Sequence, residues 1–204
     1  MSAAGIFVAG AVGYALGTFP SADVAARAAT RGAVDLRTVG SGNPGATNAA
    51  KVLGTKWGIA VLVVDIVKGV VAGFAGLAIG GDGGAYLAAT AAIAGHIFPV
   101  WSRFRGGKGV ATSAGACLAV FPAYFPIDLA VAAVGAVASK RAERATQLSG
   151  IVWTAAALLW WLADLPNAWG PDPAWGLFAF ALVSTTMILG KFVAARRAAV
   201  QAAQ

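Results

Sequence analysis

A chain of 204 residues with 59% hydrophobic and only 11% charged side chains, and a mean hydropathy of +0.75, carries more apolar surface than a water-soluble domain of that length can bury. The composition predicts an all-α, polytopic integral membrane protein, because a helix satisfies its own backbone groups in lipid. The formal net charge of +7 would suit nucleic acid, but the basic residues recur in short clusters between apolar runs and gather on no single face or tail, which argues against such a partner. The single Cys117 lies in an apolar run, so it builds no internal disulfide framework or cysteine metal site and reads as inert packing.

In chain order, the first predicted span is Ala3 to about Ala22, with Arg27, Arg31 and Arg37 after it and no cation before it. A signal peptide would carry its positive charge ahead of the apolar region, so this span reads as retained, with its N-terminus outside. A polar loop, Asp23 to Lys56, leads to a second span from Trp57 to Ile79, and Gly80 to Gly84 form a tight turn. Tyr86 to Trp101 is the third span, and Ser102 to Gly109 a short basic loop. Val110 to Phe121 is a fourth run, closed by a break at Pro122 to Pro126. Ile127 to Ala138 is a fifth, short against the ~20 residues a span needs. Lys140, Arg141, Glu143 and Arg144 form another basic connection, Ile151 to about Ala163 a sixth run, and Asp164 to Pro173 a loop rich in proline and acid. Ala174 to Gly190 is the last span, followed by Lys191, Arg196, Arg197 and a tail of small residues.

Under this division into about seven spans, every Lys and Arg except Lys68 falls in the first, third or fifth loop or the C-terminal tail. The positive-inside rule then places those segments in the cytoplasm and the N-terminus outside. Trp57, Trp101, Trp169 and Trp175 lie near span ends, where indole rings favour the headgroup region. No internal repeat or low-complexity linker divides the chain, so residues 1–204 read as one domain.

Two glycine-rich stretches then share the cytoplasmic side. In the first, Gly40, Gly42 and Gly45 permit φ > 0 turns that aim N–H groups inward, and Ser41, Asn43, Thr47 and Asn48 add short polar side chains. It has no charge, so it suits phosphate only if cations come from elsewhere. The second stretch supplies them, with Arg103, Arg105 and Lys108 among Gly106, Gly107 and Gly109. Asp23, Asp35 and Glu143 are too dispersed to hold Mg²⁺, and Gly107-Lys108 lacks the Walker pattern. No metal and no cofactor are expected. Acyl transfer from an acyl phosphate fits such a site, since the leaving group is already good and the protein need only orient and neutralise.

Gly40 to Asn48, Asp65-Ile66-Val67-Lys68-Gly69, and Gly95-His96-Ile97-Phe98-Pro99 running into Phe104 to Thr112 resemble, in order and spacing, the bacterial acyl-phosphate:glycerol-3-phosphate acyltransferases. The resemblance covers about the first 115 residues. It implies a compact seven-helix inner-membrane enzyme of phospholipid synthesis, probed from the cytoplasm by its substrates and acting as a monomer. Such an enzyme moves an acyl group from acyl phosphate to the 1-hydroxyl of glycerol 3-phosphate, giving lysophosphatidate and phosphate. Carried onto this chain, Ser41 and Lys108 are the catalytic candidates. Gly40, Gly42, Asn43, Gly45, Thr47, Asn48, His96, Arg105, Gly106, Gly107, Gly109, Thr112 and Arg144 are the phosphate- and substrate-binding candidates. The substrate's own phosphate would assist the attacking hydroxyl.

The likeness thins toward the C-terminus. Family members close their last span with His-Arg-x-Asn, which helps bind the acceptor, whereas this chain has Lys191-Phe192-Val193-Ala194-Ala195-Arg196-Arg197. Arg196 and Arg197 are candidate substitutes. A homologue that binds acyl phosphate or anionic lipid without turnover, or with another acceptor, stays open for that reason. A small transporter fits less well, because polarity concentrates at one surface apart from Asp65 and Lys68. Those two share a helix face and read equally as a neutralising clamp or as part of the site. His96 reads as a hydrogen-bonded structural residue or as a ligand to substrate.

Overall fold

The computed structural model describes residues 2–131 and 142–201, which are helical and irregular, with no strand among them. Helix α1 (Ala3–Gly17) starts on a Ser2 hydroxyl that accepts from the Gly5 N–H at 3.2 Å. It ends ahead of Pro20, which has no N–H to continue it, and α2 (Ser21–Thr30) begins directly after that proline. The first apolar run is therefore broken near its expected end, and the polar loop that follows holds part of α2 and the whole of α3 (Ala46–Leu53).

Helix α4 (Thr55–Ile97) contains both the second and third apolar runs. Its break lies at Gly81, whose φ of +62° and ψ of −154° are open essentially to glycine alone. A Cβ on Gly76 would fall 2.6 Å from the Ala88 Cβ, although residues that far apart in a straight helix would be separated by ~18 Å. The chain thus doubles back into two arms, 55–80 and 82–97. Small residues let their neighbours approach. A Cβ on Gly17 of α1 would stand 2.1 Å from the Ala92 carbonyl oxygen, and one on Gly115 of α5 (Val110–Val120) would stand 1.9 Å from that of Ile66.

With 11 residues, α5 is ~16 Å long, too short for a hydrocarbon core of ~30 Å. It bends by 115° into α6 (Pro122–Val131), so the fourth and fifth runs form a bent pair. Residues 132–138 of the expected fifth run lie outside the described residues. Helix α7 (Ala142–Leu162) takes in Arg144, which the sequence reading put in a loop, and α8 (Trp175–Gln201) carries Lys191, Arg196 and Arg197 as helix, not as a tail. In each case the helix runs past the apolar stretch because nothing there breaks it.

Among the described residues, four helical stretches are long and apolar enough to cross a membrane, and the bent pair would make a fifth. Ile93, Ile97, Val120, Phe121, Tyr124, Trp153 and Phe180 form the core between α4, α5, α7 and α8. Cys117 is buried in it. Phe7, Ile59, Val63, Val67, Val71 and Leu159 are exposed on the outside, an apolar surface suited to lipid and not to water. The protein is an all-α, multi-pass integral membrane protein.

Candidate functional site

The segment between α2 and α3 turns because its residues favour turns. Asp35 accepts from the Arg37 N–H at 2.9 Å, and the Thr38 hydroxyl donates to the Asp35 carbonyl at 3.0 Å. Gly40 and Gly42 follow at φ +61° and +68°. Asn48, 1% exposed, closes the loop. Its Oδ1 accepts from the Ser41 N–H at 2.9 Å, and its Nδ2 donates to the Leu36 and Val39 carbonyls, each at 3.0 Å. A buried amide so fully used acts as the scaffold of the loop. Gly45 is extended (φ −146°), and the N–H groups of Gly42 and Gly45 go to the Val39 and Asn43 carbonyls. Several of the loop's amides thus serve the loop itself, and the Ser41 and Asn43 side chains are left to face outward.

The second glycine-rich stretch is pinned to the end of α4. Past Pro99 a single 3₁₀ turn, Val100–Ser102, leads to Arg103 and Phe104, both left-handed at φ +53° and +62°. The chain reverses there, and the N–H groups of Gly106 and Gly107 reach the carbonyls of Ile97 and His96, both at 3.1 Å. Gly107 is the crowded point. A Cβ there would lie 2.3 Å from His96 Nε2 and 3.1 Å from the Pro44 carbonyl oxygen. Gly109, at φ +86°, then starts α5.

Arg37 ties the two stretches together. Its Nη1 and Nη2 donate to the two oxygens of Asp23 at 2.5 and 3.1 Å, and its Nε donates to the Arg105 carbonyl at 2.8 Å. The hydrogen bonds to Asp23 are the main reason that its guanidinium is held above its ordinary pKa, against an opposing effect of burial.

The two stretches enclose a cavity of about 390 Å³ lined by Ser41, Gly42, Asn43 and Pro44 from the first, Arg105, Gly106 and Lys108 from the second, Arg37, and Lys191 with three alanines of α8. Lys108 Nζ lies 4.1 Å from the centre of the Phe192 ring, and Lys191 Nζ is 3.5 Å from the Ile97 carbonyl oxygen. Arg37, Arg105, Lys108 and Lys191 thus meet around one space. Helices α3 and α5 both begin beside it without a side-chain cap, and such ends favour an anion. Among the described residues its lining carries cations, hydroxyl and amide groups and no carboxylate or imidazole, so it offers charge and orientation. A separate, largely apolar cavity of about 290 Å³ lies between α5, α6, α7 and α8, lined by Val110, Cys117, Leu129, Trp153 and Ile188 among others.

Of the residues singled out from sequence, the basic cavity gathers Ser41, Gly42, Asn43, Arg105, Gly106 and Lys108. Gly40, Gly45 and Asn48 shape the first loop, and Thr47 is exposed at the start of α3. Gly107 and His96 line a different cavity, beyond Pro44 and Gly106. Thr112 is fully buried against the first arm of α4. Arg144 is exposed at the start of α7 and is not part of the basic lining. Arg196 and Arg197 are exposed and also stand outside it. In the sequence Arg37 and Lys191 stand out only as topological charges. The one hint to either was its closeness in sequence to the first glycine loop or to the divergent terminal motif.

The family model for glycerol-3-phosphate acyltransferase matches residues 7–200. A glycerol-3-phosphate acyltransferase of Thermoanaerobacter sp. (strain X514) is 38% identical over 128 residues, 63% of this chain and 65% of that protein's length. One from Cereibacter sphaeroides (strain ATCC 17025) is 38% identical over 157 residues, 77% of this chain and 72% of its own. In structure, the chain matches the glycerol 3-phosphate form of PlsY (YgiH), an integral membrane glycerol 3-phosphate acyltransferase, with a TM-score of 0.77 and 27% identity, covering 97% of this chain and 92% of that one. The lysophosphatidic acid form of the same protein gives a TM-score of 0.75 at 26% identity, covering 91% and 87%. The match of the family model along nearly the whole chain, with this structural agreement, places the protein in the glycerol-3-phosphate acyltransferase family.

Proposed function

We propose that the protein transfers a fatty acyl group from acyl phosphate to the 1-hydroxyl of glycerol 3-phosphate, releasing lysophosphatidate and phosphate. The observation that carries this reading is the meeting of Arg37, Arg105, Lys108 and Lys191 around one cavity between the two glycine-rich stretches. Cations set beside uncapped helix ends suit phosphate groups. The acceptor hydroxyl attacks the acyl carbonyl carbon, the bond from that carbon to the phosphate oxygen breaks, and the hydroxyl proton passes to a substrate phosphate. That route needs no protein base, in keeping with a described lining of cations, hydroxyl and amide groups. Lys108 neutralises phosphate charge, and Ser41 donates its hydroxyl to a substrate oxygen. Lys191 supplies a cation where the terminal motif departs from the family, which weighs against a binding-only relative. The apolar cavity beside α5 takes the acyl chain. No metal or cofactor takes part.

The same reading makes the chain a single-domain monomer of about seven membrane segments in the bacterial inner membrane, with the N-terminus outside and the basic cavity facing the cytoplasm. Thr38→Cys should react with a membrane-impermeant maleimide only in inverted vesicles, and Ala163→Cys only in right-side-out ones; the opposite pattern would reverse the orientation. Activity is tested with purified protein and glycerol 3-phosphate, offering palmitoyl phosphate or palmitoyl-CoA as donor. Lysophosphatidate should form from the acyl phosphate alone, and product formed only from the thioester would contradict the assigned donor.

A further inference from the structure

Asp65 and Lys68 are 1% and 6% exposed, and they lie one turn apart on the first arm of α4, with Lys68 Nζ 2.8 Å from Asp65 Oδ1. The acyl-transfer steps above do not use them. Packing does not need them either. The arms of α4 already touch through small residues, since a Cβ on Gly76 would stand 2.4 Å from the Gly84 carbonyl oxygen, and apolar side chains of similar size often hold buried helices as well as an ion pair does. What charges add is direction, because each bond fixes a particular atom.

Three partners show where that direction points. Lys68 Nζ donates to the Phe19 carbonyl at 3.2 Å, in the break between α1 and α2. Asp65 Oδ1 accepts from the hydroxyl of Ser21, the first residue of α2, at 2.7 Å. His96, 8% exposed near the end of the second arm, places Nδ1 2.8 Å from Lys68 Nζ and 3.4 Å from Asp65 Oδ1. It joins the second arm to the pair whichever group supplies the hydrogen. From these partners the chain leads directly to the basic cavity. Just after Ser21, Asp23 grips Arg37. The His96 carbonyl accepts the Gly107 N–H at 3.1 Å, next to Lys108. The cluster thus ties the support of Arg37 and the support of Lys108 to one point on the first arm.

We propose that Lys68, held by Asp65, is a positioning residue that sets the separation of Arg37 and Lys108, and with it that of the two phosphate groups brought together in acyl transfer. Its purpose rests on the acyl-transfer reading; its geometry does not. A displacement of about 1 Å costs up to about a hundredfold in rate when reacting groups must be aligned. Each phosphate would still meet its own cation, so the loss falls on kcat more than on KM. Nearer the surface, Tyr14 donates to the Phe98 carbonyl at 2.8 Å and Trp101 to the Thr18 hydroxyl at 3.0 Å, so the fold keeps other ties across this junction when the cluster is removed.

The test compares two paired variants and one single variant in detergent. Asp65→Leu with Lys68→Met removes both charges and every hydrogen bond of the pair, whereas Asp65→Asn with Lys68→Gln removes the charges and keeps amides to donate and accept. Both should melt near the wild type. The apolar pair should lose about tenfold or more in kcat with palmitoyl phosphate and glycerol 3-phosphate, while KM for either changes by less than about threefold, and the amide pair should recover most of the rate. Position is read without substrate, from nitroxide labels at Ala28→Cys on α2 and Arg103→Cys on the second stretch, both exposed, with Cys117 buried and out of reach of the label. Dipolar spectroscopy should give a narrow distance distribution in the wild type and the amide pair, and a broad or shifted one in the apolar pair. His96→Leu leaves the ion pair intact and should shift the distances as well, which decides the matter if the apolar pair does not fold. An apolar pair with wild-type kcat and label distances, or unchanged distances in His96→Leu, would overturn the proposal and leave the two charges only to cancel each other. Label distances that depend on the pair in a protein without turnover would count against the acyl-transfer reading alone. Turnover with distances that do not depend on it would count against the positioning role alone.

Discussion

The ammonium of Lys108 lies 4.1 Å from the centre of the Phe192 ring, which joins the second glycine-rich stretch to the last helix. Helix α8 is a wall of the basic cavity, which Lys191, just before Phe192, and Ala194, Ala195 and Ala198, just after it, help to line. The alanines matter as well. A larger side chain at those positions would fill the space that a substrate needs.

The aromatic contact has a measurable consequence. A cation–π pair of this kind contributes about 0.5–2 kcal/mol, so Phe192→Leu should raise KM for glycerol 3-phosphate by roughly fivefold while Phe192→Tyr stays close to wild type. Steady-state kinetics on the two variants checks it. Equal losses in both would mean that the ring acts only by filling space.

Lys191 should matter more than the arginines beyond it. Loss of a charge-assisted contact to phosphate costs about 1.5–3 kcal/mol, so Lys191→Ala should raise KM for the acceptor by tenfold or more. Arg196→Ala and Arg197→Ala, both outside the cavity lining, should change it less than about twofold. Kinetics that ranked them in the opposite order would move the acceptor site further along α8.

Asn48 should behave as a structural residue. Its amide serves the Ser41 N–H and the Leu36 and Val39 carbonyls, and leaving these buried groups unpaired costs about 1–3 kcal/mol. Asn48→Ala should therefore lower the melting temperature in detergent and expose the 31–45 loop to protease, along with any loss of activity. A variant with wild-type melting and protease resistance but no turnover would instead make Asn48 a substrate ligand.

Helix packing within the membrane is open to an equally direct check. A Cβ on Gly115 would stand 1.9 Å from the Ile66 carbonyl oxygen, and forcing such helices apart costs about 1–3 kcal/mol. Gly115→Ala should reduce thermal stability, whereas Gly190→Ala, where a Cβ meets nothing within 4 Å, should not.

Much of this architecture was legible in the apolar runs and their punctuation. Gly81 and Pro122 bend the chain where the sequence marks a turn and a break, whereas Pro20 parts α1 from α2 inside a run that the apolar pattern carries on to Ala22. The pairing of the two glycine-rich stretches also followed, because the alternation of basic loops put both on one side. Helix ends were harder to foresee. Nothing in Lys191 to Arg197 marks where a helix leaves lipid and continues in water, so the tail looked like coil. Arg37 was hidden for a different reason. Its role depends on Asp23 and the Arg105 carbonyl, which come close only when the loops fold together. The same holds for His96, whose Nδ1 lies 2.8 Å from Lys68 Nζ, a partner 28 positions away.

The measurement that bears most directly on the acyltransferase account follows purified protein supplied with palmitoyl phosphate and glycerol 3-phosphate. It compares the release of inorganic phosphate with the formation of lysophosphatidate, in the wild type and in Lys108→Ala. The account predicts that the wild type forms the two products in equal amounts and that Lys108→Ala loses at least about a hundredfold in kcat/KM, the order expected when one charged group of such a site is removed. Phosphate released without lysophosphatidate, or lysophosphatidate formed as fast without Lys108, would contradict it.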